Sequence, residues 1–302
     1  MIQNKESLFI PDSSSEVVIQ GPSKNITISN QHPITFMLGL NVLEDESVVE
    51  TCLEEITRVF SKHKASVIFK ASFDKANRSS HQSRRGPGLQ EGLSRLNYIR
   101  SHYQYPILTD LHTEAQAAPV AEVADILQIP AFLCRQSDLI RAAAETNKPL
   151  HIKKMQMLAP YEMKAIIEKC NSFGNEQVIL CERGTSFGYG RLILDPLSLA
   201  EMKNFTVPIS LDVSHALQFP GVGDVQRVCA GGRSSYTLPL AYAGISQGIS
   251  AVFIECHPQP EQAWCDGACA LPLSSLDYVV EHIINLDRFI KAQPPTLVKR
   301  ET

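Results

Sequence analysis

Eight short apolar runs recur along the chain, and segments with helical periodicity separate most of them. The runs are rich in Ile, Val, Leu or Phe and show little polar alternation, which is typical of strands that are covered on both faces. The clearest helical segment is 45–62, where apolar residues return at intervals of three or four positions. The segments that follow the third and sixth runs have weaker helical periodicity. The runs are 34–40, 66–69, 106–109, 125–129, 150–152, 177–180, 207–211 and 251–254.

Eight strand–helix alternations in about 260 residues predict an α/β protein with the (β/α)8 barrel, or TIM barrel, fold. The alternative is an open, doubly wound sheet, which usually has fewer strands and a glycine-rich first turn. The sequence has neither GxGxxG after the first run nor GxxxxGK(S/T), so nucleotide-binding motifs do not favour the open sheet. We expect a single domain over 1–302, with the barrel at 34–291 and a loose C-terminal tail at 292–302.

The N-terminal extension, residues 1–33, is polar apart from two β-branched runs at 16–20 and 25–29. Gly21-Pro22-Ser23, a typical turn sequence, separates these runs. The extension is therefore predicted to contain a β-hairpin.

Composition excludes several function classes. Lys and Arg number 28 and Asp and Glu 32, so a net charge of −4 gives no bulk electrostatic reason to bind nucleic acid or an anionic membrane. No run of 18 apolar residues predicts a transmembrane helix, and the N-terminus lacks the apolar stretch of a signal peptide. We expect a cytoplasmic protein whose eight cysteines are thiols, and the absence of a CxxC pair argues against a zinc ribbon.

Charged or strongly hydrogen-bonding residues follow nearly every predicted strand. In a (β/α)8 barrel the carboxyl ends of the strands form the face where chemistry takes place. Cations dominate there, and burying them together is costly unless anions pair with them. This concentration predicts a small polyanionic substrate that carries phosphate and carboxylate groups. The cations are Lys70, Lys75, Arg78, Arg135, Lys153 and Arg183, and the other polar residues are Asn41, Asp110, His112, Glu182, Asp212, His215, Glu255 and His257.

Each of these residues also has a plainer interpretation. A lone lysine at a strand end is commonly a solvated surface charge, Asp110 or Asp212 can cap a helix, and His215 can belong to the core. Glycine-rich turns at 85–88, 184–190 and 230–233 add support, because such turns let backbone N–H groups approach phosphate oxygens. We expect the glycine-containing segment 219–235 to form a mobile lid.

Seven ordered motifs within 34–290 resemble those of the 3-deoxy-D-manno-octulosonate 8-phosphate synthase family. The resemblance implies a (β/α)8 barrel enzyme, usually a homotetramer, that condenses phosphoenolpyruvate with D-arabinose 5-phosphate and water. The products are 3-deoxy-D-manno-octulosonate 8-phosphate and inorganic phosphate. The motifs are FKASFDKANRSS (69–80), RGPGL (85–89), DILQIPAFLCRQSDL (125–139), CERGTSFGY (181–189), DVSHALQ (212–218), AGGRSS (230–235) and CDG (265–267).

The resemblance also implies a role for individual residues. The residues that resemble the phosphoenolpyruvate ligands are Lys70, Lys75, Arg135, Lys153 and Arg183. Those that resemble the sugar-phosphate site are Asn77, Arg78, Ser79 and Asp110, with Arg78 acting across a subunit boundary. Glu255, His215 and Asp266 resemble the polar set around the reacting carbons. Lys75 is the candidate to protonate or stabilise the developing alkoxide, and either His215 or Asp266 orients the attacking water.

The identity of residue 41 bears on metal dependence. Members of this family divide into metal-dependent enzymes with Cys at the end of the first strand and metal-independent enzymes with Asn. A neutral amide in place of a thiolate removes an anionic ligand, so Asn41 predicts an enzyme without a metal or other cofactor. His215, Glu255 and Asp266 remain able to hold a metal weakly, while Cys256 and Cys265 are interpreted as incidental.

Several positions depart from the family pattern, among them Thr113, Met155, Met157 and the segment 81–84. A paralogue that uses a different aldose phosphate therefore stays open as an alternative. A second alternative is an aromatic-pathway synthase that uses erythrose 4-phosphate, against which the KANRSS motif argues. A third is a protein that binds sugar phosphates without turnover.

Overall fold

The computed structural model describes residues 16–78, 80–186, 190–220 and 231–294. Eight parallel strands form a closed barrel, because the last of them pairs with both the first and the seventh. This confirms the predicted (β/α)8 barrel, and each apolar run contributes one barrel strand. The strands are β1 (Val17–Gln20), β2 (Asn25–Ile28), β3 (Thr35–Val42), β4 (Ser66–Ser72), β5 (Ile107–Asp110), β6 (Ile126–Ile129), β7 (Leu150–Lys153), β8 (Val178–Glu182), β9 (Ile209–Asp212), β10 (Gln218–Phe219), β11 (Gly231–Gly232), β12 (Ala251–His257) and β13 (Leu271–Pro272). The barrel consists of β3 to β9 and β12.

The helices alternate with the barrel strands and pack against their outer faces. The helices that follow the third and sixth barrel strands have five and eight residues, in agreement with the weaker periodicity there. The helices are α1 (Glu46–His63), α2 (Leu89–Tyr103), α3 (Ala117–Ala121), α4 (Ser137–Ala144), α5 (Met163–Ser172), α6 (Pro196–Lys203), α7 (Thr237–Ile245) and α8 (Leu276–Ala292).

The first helix illustrates how the sequence forms the outer layer. Its buried residues, among them Val49, Leu53 and Ile56, recur at helical spacing and form one apolar stripe against the barrel. The helix ends at His63 and is capped by Lys64, whose φ of 54° is left-handed and whose N–H donates to the Phe60 carbonyl. Burial of each large side chain in this stripe contributes about 1.5–3 kcal/mol relative to exposure.

Alternation along the strands separates two apolar cores. In β3, for example, Phe36 and Leu38 belong to the large core under the helices, whereas Met37 belongs to a smaller core inside the barrel. A strand sends successive side chains to opposite faces, so each barrel strand has one set facing the helices and one facing the barrel axis.

The hairpin of β1 and β2 closes the amino-terminal end of the barrel. Its four buried residues lie in the inner core with residues from the early part of the barrel strands, such as Ile68 and Ile179. Just after the hairpin, Asn30 donates to the Val207 carbonyl at 3.0 Å and accepts from the Ile209 N–H at 2.9 Å. The predicted hairpin is therefore present, and it fills one end of the barrel with apolar side chains.

Parts of several sequence predictions lie outside the described residues. These parts are 1–15 of the N-terminal extension, Ser79, 187–189 of one glycine-rich turn, 221–230 in the centre of the expected lid, and 295–302, most of the expected tail. The ends of the lid segment are described, and β10 pairs with β11 there as a short antiparallel ribbon. Among the residues that the structure describes, no helix has the length and apolar character needed to cross a bilayer.

Candidate active site

The inner face of the barrel changes from apolar to charged toward the carboxyl ends of the strands. The side chains of β4 that point toward the barrel axis are, in order, Ile68, Lys70 and Ser72. Those of β12 include Phe253, followed by Glu255. These polar side chains are buried, so they face one another rather than bulk water. The inward polar residues of this end are Asn41, Lys70, Ser72, Asp110, Lys153, Asp212 and Glu255.

Lys70 and Glu255 form an ion pair in which each side chain is only 1% exposed. The Lys70 Nζ lies 2.9 Å from Glu255 Oε1 and also donates to the Asn41 carbonyl at 3.1 Å. The Asn41 side chain completes the group, because its Nδ2 donates to Glu255 Oε2 at 2.6 Å and to Asp266 Oδ2 at 3.2 Å. Among the residues that the structure describes, none supplies a hydrogen-bond partner to the buried Asn41 Oδ1.

A second charged group is built around Asp212 at the end of β9. Its Oδ2 accepts from Lys153 Nζ and lies 2.7 Å from His215 Nδ1, while its Oδ1 accepts from the backbone N–H groups of Ser214 and His215. A carboxylate on Nδ1 keeps a proton on that nitrogen and orients the ring. The His215 Nε2 then faces Glu255 Oε2 at 3.6 Å and Asp266 Oδ2 at 3.7 Å.

Asp266 adopts a left-handed backbone conformation with a φ of 49°. A residue with a β-carbon rarely adopts this conformation unless its surroundings hold it there. Its side chain contacts Asn41, accepts from Gln218 Nε2 at 3.0 Å and lies 3.3 Å from Cys265 Sγ. Asp266 therefore joins the loop after β12 to residues of the barrel interior.

Opposite charges keep the carboxylates of this cluster ionised. Burial alone would raise the pKa of Glu255, but His215, Lys70 and Lys75 outweigh it and lower this pKa to about 2. In the same way His215 and Lys153 overcome the burial of Asp212 and hold its pKa well below the usual range. The site is therefore negatively charged at these positions at neutral pH, and the surrounding cations are partly neutralised.

The two lysines near Glu255 differ in their pKa shifts. Burial lowers the pKa of Lys70, although Glu255 counteracts this effect. For Lys75 burial also acts to lower the pKa, but the negative charges of Asp110 and Glu255 prevail, with a smaller contribution from Asp266, and raise it. Lys75 is therefore a cation at neutral pH and faces several carboxylates.

The loop between β4 and α2 covers one side of the cluster. Asp110, at the end of β5, accepts from Ser72 Oγ and lies 3.0 Å from His112 Nε2, which orients its carboxylate toward this loop. Within the loop Arg78 donates to Cys265 Sγ, so Arg78 contacts the segment that carries Asp266. Cys265 therefore contacts both loops, and its interpretation as incidental to the chemistry stays a prediction.

The predicted site residues fall into three groups. The first group lies together at the carboxyl end of the barrel: Asn41, Lys70, Asp110, Lys153, His215, Glu255 and Asp266. Lys75 interacts with the carboxylates of this group, which raise its pKa, and Arg78 contacts Cys265 beside Asp266. Arg183 is buried, and its Nη2 donates to Gln218 Oε1 at 3.4 Å, which links it to Asp266. Arg135 and Asn77 are exposed on the loops after β6 and β4, and Ser79 lies outside the described residues.

Sequence reasoning gave no site role to Ser72, Gln218 or Cys265, and it placed Asp212 at the carboxyl end of its strand without a specific role. Ser72 occupies the last inward position of its strand, so the two-residue period was the signal that could have assigned it. Gln218 and Cys265 lie in irregular segments, where no periodic pattern marks the direction of a side chain.

A cavity of about 450 Å³ lies beside the cluster, next to the loop after β3 and the start of α2. Trp264 and Arg95 line it together with acidic residues such as Glu44. The charged residues of the barrel interior do not line this cavity. The candidate site is therefore defined by the cluster of side chains at the carboxyl ends of the strands.

Comparison with known proteins identifies the family to which this chain belongs. A model of the DAHP synthetase I family matches residues 10–292. The 2-dehydro-3-deoxyphosphooctonate aldolase of Azotobacter vinelandii is 49% identical over 271 residues, which cover 90% of this chain and 95% of that protein. The proteins of the same name from Marinobacter nauticus and Pseudomonas aeruginosa are 49% and 48% identical, each over 270 residues that cover 89% of this chain and 95% of theirs. The chain therefore belongs to the DAHP synthetase I family, together with these aldolases.

Proposed function

We propose that this chain is an enzyme that condenses phosphoenolpyruvate with D-arabinose 5-phosphate and water. The reaction is that of 3-deoxy-D-manno-octulosonate 8-phosphate synthase, a second name for 2-dehydro-3-deoxyphosphooctonate aldolase, the name its relatives carry. The observation that carries the proposal is the set of buried cations at one end of the barrel: Lys70, Lys153 and Arg183. Two phosphates and a carboxylate are the charges that such a set would pair with.

Phosphoenolpyruvate is proposed to bind among the lysines and arginines. Lys70 and Lys153 each carry three N–H donors, of which Glu255 and Asp212 use part, so donors remain for an incoming anion. Lys75 would lie near the substrate carboxylate, and Arg135, Lys153 and Arg183 near its phosphate. The exposure of Arg135 agrees with a residue that closes on the ligand from the loop after β6.

The aldose phosphate is proposed to bind along the loop after β4. Asn77, Arg78 and Ser79 would hold its phosphate, and Asp110 would accept from its hydroxyl groups. We further propose a homotetramer in which Arg78 serves the substrate of a neighbouring subunit.

The proposed reaction needs positioning more than strong acid–base catalysis. Water adds to C2 of phosphoenolpyruvate, C3 attacks the aldehyde carbon, and the C–O bond to phosphate breaks and releases inorganic phosphate. Holding both anions fixed makes the carbon–carbon step effectively unimolecular. Lys75, a cation with a raised pKa, would protonate or stabilise the alkoxide that forms from the aldehyde.

His215 and Asp266 are the two candidates to orient the attacking water. Asp212 fixes the protonated nitrogen of His215, and the opposite nitrogen faces the carboxylates of Glu255 and Asp266. A water molecule held by hydrogen bonds between these groups would keep a lone pair for attack on C2.

We propose that this chemistry is metal-independent. The Asn41 Nδ2 donates to both Glu255 and Asp266, so an N–H donor occupies the position from which a cation would neutralise these carboxylates. An amide nitrogen does not ligate divalent metals, and the remaining set of one histidine and two carboxylates supplies three ligands, only two of them anionic.

The decisive experiment measures release of inorganic phosphate from phosphoenolpyruvate by the purified protein. Release that requires D-arabinose 5-phosphate is expected. Release with erythrose 4-phosphate instead would identify an aromatic-pathway synthase, and release with another aldose phosphate would identify a paralogue of altered preference. Binding of sugar phosphates without any release would contradict the enzymatic proposal.

A further inference from the structure

A buried ion pair lies outside the barrel, behind the proposed phosphate ligands. Lys154 Nζ lies 3.5 Å from Glu182 Oε1, and each side chain is 2% exposed. Glu182 faces α6, because its Oε2 accepts from Ser198 Oγ at 3.0 Å. The pair therefore occupies the layer between strands and helices, where the apolar pattern of the strands otherwise prevails.

The pair holds the backbone of two neighbouring loops. Glu182 Oε1 accepts from the N–H groups of Arg183 at 2.9 Å and Gly184 at 2.7 Å, which fixes the turn where the chain leaves β8. Lys154 Nζ donates to the Leu158 carbonyl at 3.1 Å in the loop after β7. The Ser186 N–H donates to the Gln156 carbonyl at 3.0 Å and joins the two loops directly.

Stability alone does not account for this arrangement. A buried ion pair is often no more stabilising than a pair of apolar side chains of the same volume, because both charges lose their hydration. What the pair provides is two acceptor contacts to successive N–H groups, one of them from Arg183. The polar side-chain contact described for Arg183 itself is the 3.4 Å contact with Gln218, so its direction depends on its backbone.

We propose that Glu182 and Lys154 are positioning residues that direct Arg183 toward the phosphate of phosphoenolpyruvate. Glu182 sets the backbone from which the guanidinium projects, and Lys154 supplies the charge that allows the carboxylate to be buried. This inference depends on the proposed function, since it assigns a substrate group to Arg183.

Two double variants separate a positioning role from a structural one. Lys154→Met/Glu182→Gln removes both charges but keeps a side-chain oxygen that accepts from the Arg183 and Gly184 N–H groups. Lys154→Met/Glu182→Met removes both charges and the acceptor with little change in shape. Neither variant leaves an unpaired buried charge, so both are expected to fold.

We expect the methionine variant to raise the KM for phosphoenolpyruvate by about 10–100-fold, the usual effect of losing a partner that orients a ligand-binding residue. The KM for the aldose phosphate and kcat should stay within about threefold, and the glutamine variant should stay within about threefold in all parameters. Calorimetric affinity for inorganic phosphate should fall in parallel with the change in KM.

Equal KM values for phosphoenolpyruvate in the parent and both variants would overturn the inference, as would an equal rise in both variants. If the methionine variant fails to fold, Lys154→Met/Glu182→Leu provides the same comparison. If the parent releases no phosphate from phosphoenolpyruvate, the proposed function fails. The phosphate affinities of the two variants then still decide whether Glu182 positions Arg183.

Discussion

Single residues at this site act mainly through charge. Lys75, half-buried on the loop after β4, is held in the charged state by the carboxylates opposite it. Asn41 acts without a charge of its own, because its neutral amide donates hydrogen bonds to the carboxylates of both Glu255 and Asp266. Two predictions follow directly from these two residues.

Replacement of Lys75 by alanine should abolish turnover while leaving the fold intact. The reason is the loss of the cation proposed to stabilise the alkoxide, which we expect to lower kcat by about 100-fold or more. Phosphate release measures the effect, and circular dichroism reports the fold. Lys164→Ala is the matched control, since Lys164 is exposed in a surface pair on α5 and should retain parent activity. Normal turnover by Lys75→Ala would remove this residue from the mechanism.

Treatment with EDTA should leave the activity of the parent unchanged. Asn41 already satisfies Glu255 and Asp266 by hydrogen bonds, so no divalent ion is needed to hold these carboxylates together. The measurement is the rate of phosphate release before and after dialysis against the chelator. Loss of activity that a divalent ion restores would show that a metal is needed and that Asn41 does not replace it.

At the scale of elements, the sequence predicted the regular parts well. All eight apolar runs became barrel strands, and the weak helical periodicity after the third run agrees with the five residues of α3. The reason is that two-residue and 3.6-residue periods are local properties of a sequence.

What the sequence did not predict depends on contacts between distant segments. The left-handed backbone of Asp266 and the orientation of Gln218 both arise in irregular loops. Glu182 was assigned to the same face as its neighbour Arg183, yet it faces α6. Adjacent residues at a strand end point in opposite directions, and only the packing of the helices showed what Glu182 contacts.

One strand carries a histidine whose titration should affect stability. His151 of β7 is fully buried between Gln128 Oε1 at 3.2 Å and Ser210 Oγ at 3.0 Å. Burial lowers its pKa to about 3 from the ordinary value of 6.5. Between these values the unfolded chain binds the proton and the folded chain does not, so stability is complete above pH 6.5 and falls as the pH decreases.

The variant His151→Gln should therefore lose less stability in acid than the parent. Between pH 7.5 and pH 5 the parent should lose about 2 kcal/mol more unfolding free energy than the variant. Urea unfolding at the two pH values measures the difference. An identical pH dependence for both proteins would mean that His151 is protonated in the folded state.

At the scale of the whole molecule, the two ends of the barrel have separate tasks. The hairpin and the inner apolar core fill the amino-terminal end, while the charged cluster occupies the carboxyl end. Asn30 connects the hairpin to β9 through two buried hydrogen bonds. Stability and catalysis should therefore respond to different substitutions.

Asn30→Ala should test this separation. Loss of its contacts leaves the Ile209 N–H and the Val207 carbonyl without partners and should cost about 1–3 kcal/mol of unfolding free energy. The kcat/KM for phosphoenolpyruvate at 25 °C should stay at the parent value, because residue 30 lies at the opposite end from the charged cluster. A fall in kcat/KM without a loss of stability would contradict the separation.

The alternation of charge and apolar surface along each strand also guards against misfolding. A slip of β4 by one residue would turn Phe69 and Ala71 toward the barrel axis and move Lys70 into the helix layer, away from Glu255. The cost of stranding that ammonium in an apolar layer would disfavour the slipped sheet. The side chains that are proposed to hold substrate thus also favour the correct register of the strands, before any substrate is bound.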